Sequence, residues 1–238
     1  MKKSLAGIKG PLAGILLLLA FGGASAAAQS HGTVVRTAAA ADVRQAAAAI
    51  DARYNAMKSL RAEFTESYSG GGIRRVETGT LWIKKPGKMR WDYTSPQKKT
   101  FVTDGSTAWF YNPAERQARR TPLKSLDDLR SPLRFLLGRT KLEKEVRGLS
   151  LAPDVRPQTP GDLVLRGVPV GMEDRVSVLL LESDSQGFLR RIVIEELDGS
   201  TTEFRLENQR ENVPVNDAEF SFHPPAGVEV LQGNQLQP

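Results

Sequence analysis

The stretch "GTLWIKKPGKMRWDY", Gly79 to Tyr93, interleaves two tryptophans, a methionine and a tyrosine with lysines and an arginine around a Pro-Gly turn. Side chains of these types can stack nucleic-acid bases in a basic groove, line an apolar pocket or fill the core of a sheet. Catalysis has less to work with. His31 lies in an alanine-rich N-terminal stretch and His223 in "EFSFHPP", and neither has a second ligand at metal-binding spacing. Asp127-Asp128 and Glu195-Glu196 are adjacent carboxylates, but neighbours on a strand point to opposite faces, so they read as solvated charge. No G-x-S-x-G elbow, H-E-x-x-H pair or phosphate-binding loop is written in the chain. The pattern predicts a protein that is not an enzyme and needs neither metal nor cofactor.

The N-terminus reads as an address. "MKKSLAGIKG" is a basic opening, "PLAGILLLLAF" is too short an apolar run to span a bilayer, and "GGASAAAQ" supplies the small residues of a cleavage site. Residues 1–28 are therefore expected to be a signal peptide cut near 26–28, with 29–41 a flexible leader and 42–238 a single domain. The chain has no cysteine, which removes disulfides, thiolate chemistry and a lipid-anchored N-terminal cysteine together. Of the formal charge of +6, Lys2, Lys3 and Lys9 leave with the signal. The weak remainder argues against nucleic acid and is compatible with contact at an anionic membrane surface. The expected product is a soluble, monomeric protein of the periplasm.

These residues need elements to hold them. From Asp42, a plausible N-cap, Val43, Ala46, Ile50, Tyr54, Met57, Leu60 and Phe64 recur at helical spacing and predict one long amphipathic helix. Beyond Phe64 the period becomes two. Gly70-Gly71-Gly72, Pro86-Gly87 and Asp104-Gly105 punctuate strands, and Met89, Trp91 and Tyr93 share one face. Pro122 and Pro132 open two short helices, the second the apolar "SPLRFLLG" with Leu133, Leu136 and Leu137. Strands then resume through "GDLVLRGVP", "DRVSVLLLESDSQGFLRRIVIEELDGSTTEFRLENQREN" and "EFSFHPPAGVEVL". The series implies an antiparallel meander covered by the helix.

One helix on one flat sheet has too little area for so many large apolar residues, whereas strong twist would curl the sheet into an incomplete barrel with a concave inside. Trp82, Met89, Trp91, Tyr93, Phe101 and Trp109 are available to line it, with Leu133 and Leu136 on a plug or lid. A solid core remains an open reading, and alternation does not say which face is inside. Trp82 shares phase with Lys84, while Trp91 shares phase with Met89.

Several of these stretches resemble, in order, segments of the LolA family of periplasmic carriers of outer-membrane lipoproteins. "RAEFTES" is similar to the end of the family's first helix and its first strand. "GTLWIKKPGKMRWDYTSP", "FVTDGSTAWFYNP" and "DAEFSFHPPAGVEV" resemble its L-W/basic-Pro/R-W, D-G hairpin and C-terminal F-x-F-x-P-P-x-G-V segments, and "SPLRFLLG" falls where its lid helices lie. The resemblance implies a strongly curved antiparallel sheet forming an incomplete β-barrel, one long N-terminal helix, and short lid helices over a hydrophobic cavity for acyl chains. It implies acylated lipoproteins as cargo, an ATP-driven inner-membrane transporter as donor and an outer-membrane acceptor, with no ATP consumed by the carrier. It also implies a lid latch at the basic residue before the proline, here Lys85, shared with Lys84 or Arg90, and a handover position at Met89. The alternatives are a lipid- or glycolipid-binding or envelope-sensing protein of the same fold, and a structural adaptor with a filled core.

Overall fold

The computed structural model describes residues 30–123 and 141–232, with side chains from residue 42 onward. Its framework is one 12-stranded sheet, in the order β12-β6-β5-β4-β3-β2-β1-β11-β10-β9-β8-β7. A first meander comprises β1 (Ser59–Gly70), β2 (Ile73–Lys84), β3 (Lys88–Ser95), β4 (Lys99–Asp104), β5 (Thr107–Asn112) and β6 (Gln117–Pro122). A second comprises β7 (Val146–Leu151), β8 (Leu163–Pro169), β9 (Val176–Ser183), β10 (Leu189–Glu196) and β11 (Thr201–Glu211), and the two are joined where β1 pairs antiparallel with β11. The sheet curves strongly and stays open, with β7 at one edge and β12 (Glu229–Gln232) at the other.

Helix α1, Ser30–Ala56, lies on the concave face and buries Ala46, Ala47, Ile50 and Tyr54. It begins at Ser30 rather than at the expected Asp42, because the alanine-rich stretch from Thr37 to Ala41 has high helix propensity. It also stops earlier than its apolar spacing suggests. Leu60, Ala62 and Phe64 alternate along β1 and bury one face of a strand, so the i, i+4 coincidence of Leu60 and Phe64 was also a period of two.

The turn between β9 and β10 anchors this helix. Gly187 has φ +83°, and a Cβ there would collide with the backbone of Ala49 and Ile50, so only glycine fits. Beside it, Arg53 Nε donates to the Gln186 carbonyl at 2.7 Å, its guanidinium lies 3.6 Å from the Phe188 ring centroid, and Nη1 pairs with Glu211 at 2.9 Å. Tyr54 Oη accepts from the Leu189 N–H at 3.2 Å. Asp51 receives the N–H of Leu142, which opens the single turn α2, Leu142–Glu145.

Three further expectations change. Pro122 ends β6 instead of opening a helix, and the rest of the two predicted helices, with Leu133, Leu136 and Leu137, lies outside the described residues, as does the segment expected to be a signal peptide. Strands resume earlier than expected, since Val146, Leu149 and Leu151 lie on β7, a strand ahead of "GDLVLRGVP" that pairs with β8. The C-terminal stretch is not a meander strand. It forms a 3-10 turn, Asp217–Phe220, then an irregular strap, and only Glu229–Gln232 pairs, in parallel with β6.

Candidate functional site

Register places the concave side chains in rows, because residues directly opposite one another share a face. Next to the Pro86-Gly87 turn stand Leu60, Ile83, Met89, Thr103 and Ala108. The next row holds Ala62, Leu81, Trp91, Phe101 and Phe110, and a third brings Leu206, Phe64, Gly79, Tyr93 and Lys99 side by side. Gly79 matters for what it lacks. A Cβ there would run into the Asp92 carbonyl and lie 2.8 Å from the Phe64 ring, so the ring can settle directly over the strand. Phe64 then meets Trp91 and Tyr93 edge-on, at ring-centroid distances of 4.7 and 5.0 Å, and Trp91 meets Phe204 at 5.6 Å.

The opposite face is a different environment. Trp82 is half-buried there, with the Arg61 guanidinium 5.5 Å from its ring. Trp109 and Tyr111 pack on Phe222 at 5.4 and 5.2 Å. Arg90 faces outward too, donating to Asp92 at 2.6 Å and to the Glu219 carbonyl at 2.9 Å. Lys84 and Lys88 grip Asp217 at 2.6 and 2.9 Å, and their hydrogen bonds pull its carboxyl down to about 2. With Phe220 fully buried, these contacts bind the C-terminal strap to the convex surface. Thus Met89, Trp91, Tyr93 and Phe101 come together on the concave side, while Trp82, Trp109 and Arg90 lie on the convex side, where the strap runs. Strand alternation groups residues into faces, but only the position of α1 decides which face is concave.

Lys85 sits beside the Pro86-Gly87 turn, its N–H bonded to the Lys58 carbonyl at 2.9 Å. Its Nζ is buried without a hydrogen-bond partner among the described residues, and burial, opposed by the charge of Glu211, holds its pKa below the ordinary lysine range.

At the other end of the concave face is a group that sequence reasoning missed. Glu66, Glu77 and Lys99 are 4%, 3% and 7% exposed. Lys99 Nζ donates to Glu77 Oε2 at 2.8 Å and lies 4.5 Å from the Tyr93 ring centroid. Arg75 Nε stands 2.9 Å from the same oxygen, close enough for an ion pair although not aligned for a hydrogen bond. Tyr93 Oη donates to Glu66 Oε2 at 2.7 Å. The only sequence signal was that Glu66 and Glu77 fall in phase with Phe64 and Leu81.

Burial, reinforced by Glu77, raises the Glu66 carboxyl above its ordinary value, against the Tyr93 hydrogen bond and the charges of Lys99 and Arg75. An acid whose folded pKa exceeds its unfolded value holds its proton more tightly when folded. Its contribution is therefore most favourable below the unfolded pKa and is lost as pH rises through the folded one. Glu66→Gln keeps an acceptor for Tyr93. It should be more stable than the parent at neutral pH, with the gap closing toward about pH 4. Thermal melts across that range check this, and an offset independent of pH would refute it.

Two clefts open elsewhere. One of about 810 Å³, at the β9–β10 turn and β11, sets Glu182, Asp184 and Glu207 against Arg190, Arg191 and Arg205, which suits no apolar chain. One of about 500 Å³ lies at the open β7 edge, between Val43, Val146, Leu149 and Val170. Among the described residues there is no cluster of side chains that could hold a metal, and no helix is long and apolar enough to cross a membrane.

The sequence profile of the family described as "Outer membrane lipoprotein carrier protein LolA" matches residues 55–223. A protein of Chromobacterium violaceum named "Outer-membrane lipoprotein carrier protein" is 29% identical over 204 residues, 79% of this chain and 88% of its own length. One of the same name from Pectobacterium carotovorum subsp. carotovorum is 32% identical over 186 residues, 77% and 86% of the two chains. The crystal structure of an uncharacterized conserved protein from Thermus thermophilus superposes with a TM-score of 0.52 at 12% identity, covering 81% of this chain and 99% of that one, a likeness of fold. On the profile match and these relatives together, the chain belongs to the LolA outer-membrane lipoprotein carrier family.

Proposed function

We propose that this protein is a periplasmic carrier that takes up the acyl chains of lipoproteins leaving the inner membrane and delivers them to the outer membrane. The observation that carries this reading is the concave face. Across β1, β2 and β3 its rows from Leu60 to Phe64 are built of aliphatic and aromatic side chains and Gly79, and α1 roofs them in a sheet that does not close. Each methylene moved from water onto such a surface gains about 0.8 kcal/mol, enough to keep a lipidated protein soluble with no covalent step. The carrier is non-catalytic, exported by its signal peptide and monomeric. An ATP-driven inner-membrane transporter loads it and an outer-membrane acceptor empties it.

Met89, Trp91, Tyr93 and Phe101 form the acyl-facing surface, joined by Leu133 and Leu136 from the segment between β6 and α2. Lys85 is the latch of the empty state. A buried amine without a partner is costly, so an accessible backbone carbonyl of the lid would be bound readily and given up when an acyl chain enters. Met89→Glu puts a charge on the apolar face and should weaken acyl-probe binding about tenfold or more. Lys85→Ala should shift the empty protein toward its open state, binding probe several-fold tighter and passing cargo on more slowly. Unchanged probe affinity and transfer in both variants would remove these roles.

The test of the function is release. Signal-free protein is added to spheroplasts of the same source organism carrying labelled lipoprotein. A soluble one-to-one complex that depends on ATP supports the carrier reading. Failure to release any lipoprotein from these membranes would overturn it.

A further inference from the structure

Apart from the Tyr93 ring, which belongs to the acyl-facing surface, the buried cluster at the far end of the concave face has no part in the uptake described above. Its groups are committed to one another. Lys99 and Arg75 meet Glu77, and Tyr93 meets Glu66. They offer nothing to a ligand head group, yet they stand directly after the apolar rows. Along β2 these rows run from Ile83 to Gly79, a rise of about 13 Å, where buried Lys99 stands level with Gly79 across β3, and Glu77 follows at about 20 Å. Half of a bilayer's hydrocarbon core is about 15 Å. The apolar interior is therefore as deep as one layer of acyl chain, and then it ends on charge.

We propose that Glu66, Glu77, Tyr93 and Lys99 form the floor of the acyl site and set the length of chain it accepts. The proposal rests on the carrier reading above. An apolar chain that reaches the floor can go further only by separating paired groups that have already lost their water, and the cost of unpairing them exceeds the gain from another methylene. Chains of ordinary membrane length are accepted to their ends, and longer ones must leave their excess outside the mouth. Arg75, half-exposed behind the floor, keeps water at the far side.

The experiment uses the signal-free protein and unbranched fatty acids from lauric through palmitic and stearic to behenic and lignoceric. Affinity is read by displacement of a polarity-sensitive dye. For the wild type, affinity should rise about threefold to fourfold for each added methylene up to stearic acid and then stop rising. In Glu77→Leu/Lys99→Met the floor becomes apolar at similar volume, and the rise should continue into the longer acids. Glu66→Leu/Tyr93→Phe opens the neighbouring half and should extend it likewise, so the test survives if one variant does not fold.

Either a wild-type affinity that keeps rising through lignoceric acid or a break at the same length in the folded variants would overturn the floor. So would loss of binding at every length in folded Glu77→Leu/Lys99→Met, since those two charges would then be contacting the ligand. If the wild type binds none of the acids, the carrier reading fails and the floor with it, an outcome distinct from the other three.

Discussion

Glu77→Leu is expected to cost about 3–5 kcal/mol of folding stability, whereas Glu77→Leu/Lys99→Met returns most of the loss. In the single variant Lys99 keeps its place in the interior and loses the carboxylate with which it forms its ion pair. A buried ammonium without that partner must stay charged in a poor solvent, give up its proton or force its way out. The double variant removes both charges and leaves two unbranched or singly branched apolar side chains of similar bulk, an exchange that is often neutral or stabilising. Arg75 then loses its partner too, but it is exposed enough to remain hydrated. Equilibrium urea denaturation of the wild type, both single variants and the double variant closes the cycle. A double variant as unstable as Glu77→Leu would mean that the cluster is not held by this pair.

Trp91→Ala should cost a similar amount, about 3–5 kcal/mol, the range for truncating a fully buried aromatic. Trp91 touches Phe64 and Phe204 edge-on and stands between Met89 and Tyr93 on the concave face. Its loss leaves a void where β1, β3 and β11 meet, in a core made rigid by the seating of Phe64 over Gly79. Trp109→Ala makes the informative contrast. Trp109 is half-buried beneath Phe222 on the convex side, so its removal should cost clearly less and act through the C-terminal strap. Limited proteolysis would read this as faster cleavage after Val213, and urea melts would give the two costs. Equal losses for the two tryptophans would contradict their assignment to different faces.

Much of the architecture is legible without a structure, because it depends on local periods. Met89, Trp91 and Tyr93 alternate with Arg90 and Asp92 and do share a face, and the turns at Gly70–Gly72, Pro86-Gly87 and Asp104-Gly105 fall where strands end. The curved open sheet follows from the number of such strands and the single amphipathic helix. Local periods also mislead where two coincide. Leu60 and Phe64 fit helix and strand equally, and only the pairing of β1 with β2 and β11 resolves them.

The candidate site was half visible. Its apolar members announce themselves by type, while its charged members look like ordinary solvated surface. Glu66, Glu77 and Lys99 become interior residues only because their partners arrive from other strands, Tyr93 from 27 positions away and Lys99 from 22. The sequence by itself determined the absence of thiol chemistry, the strand and helix periods, and the grouping of aromatics by face. Tertiary structure alone decided which face is concave, that the C-terminal Phe220–Phe222 segment straps the outer surface, and that paired charges close one end of the interior. A side chain's direction along its own strand is set by local sterics. Its burial and its partner are set by what the rest of the chain brings against it.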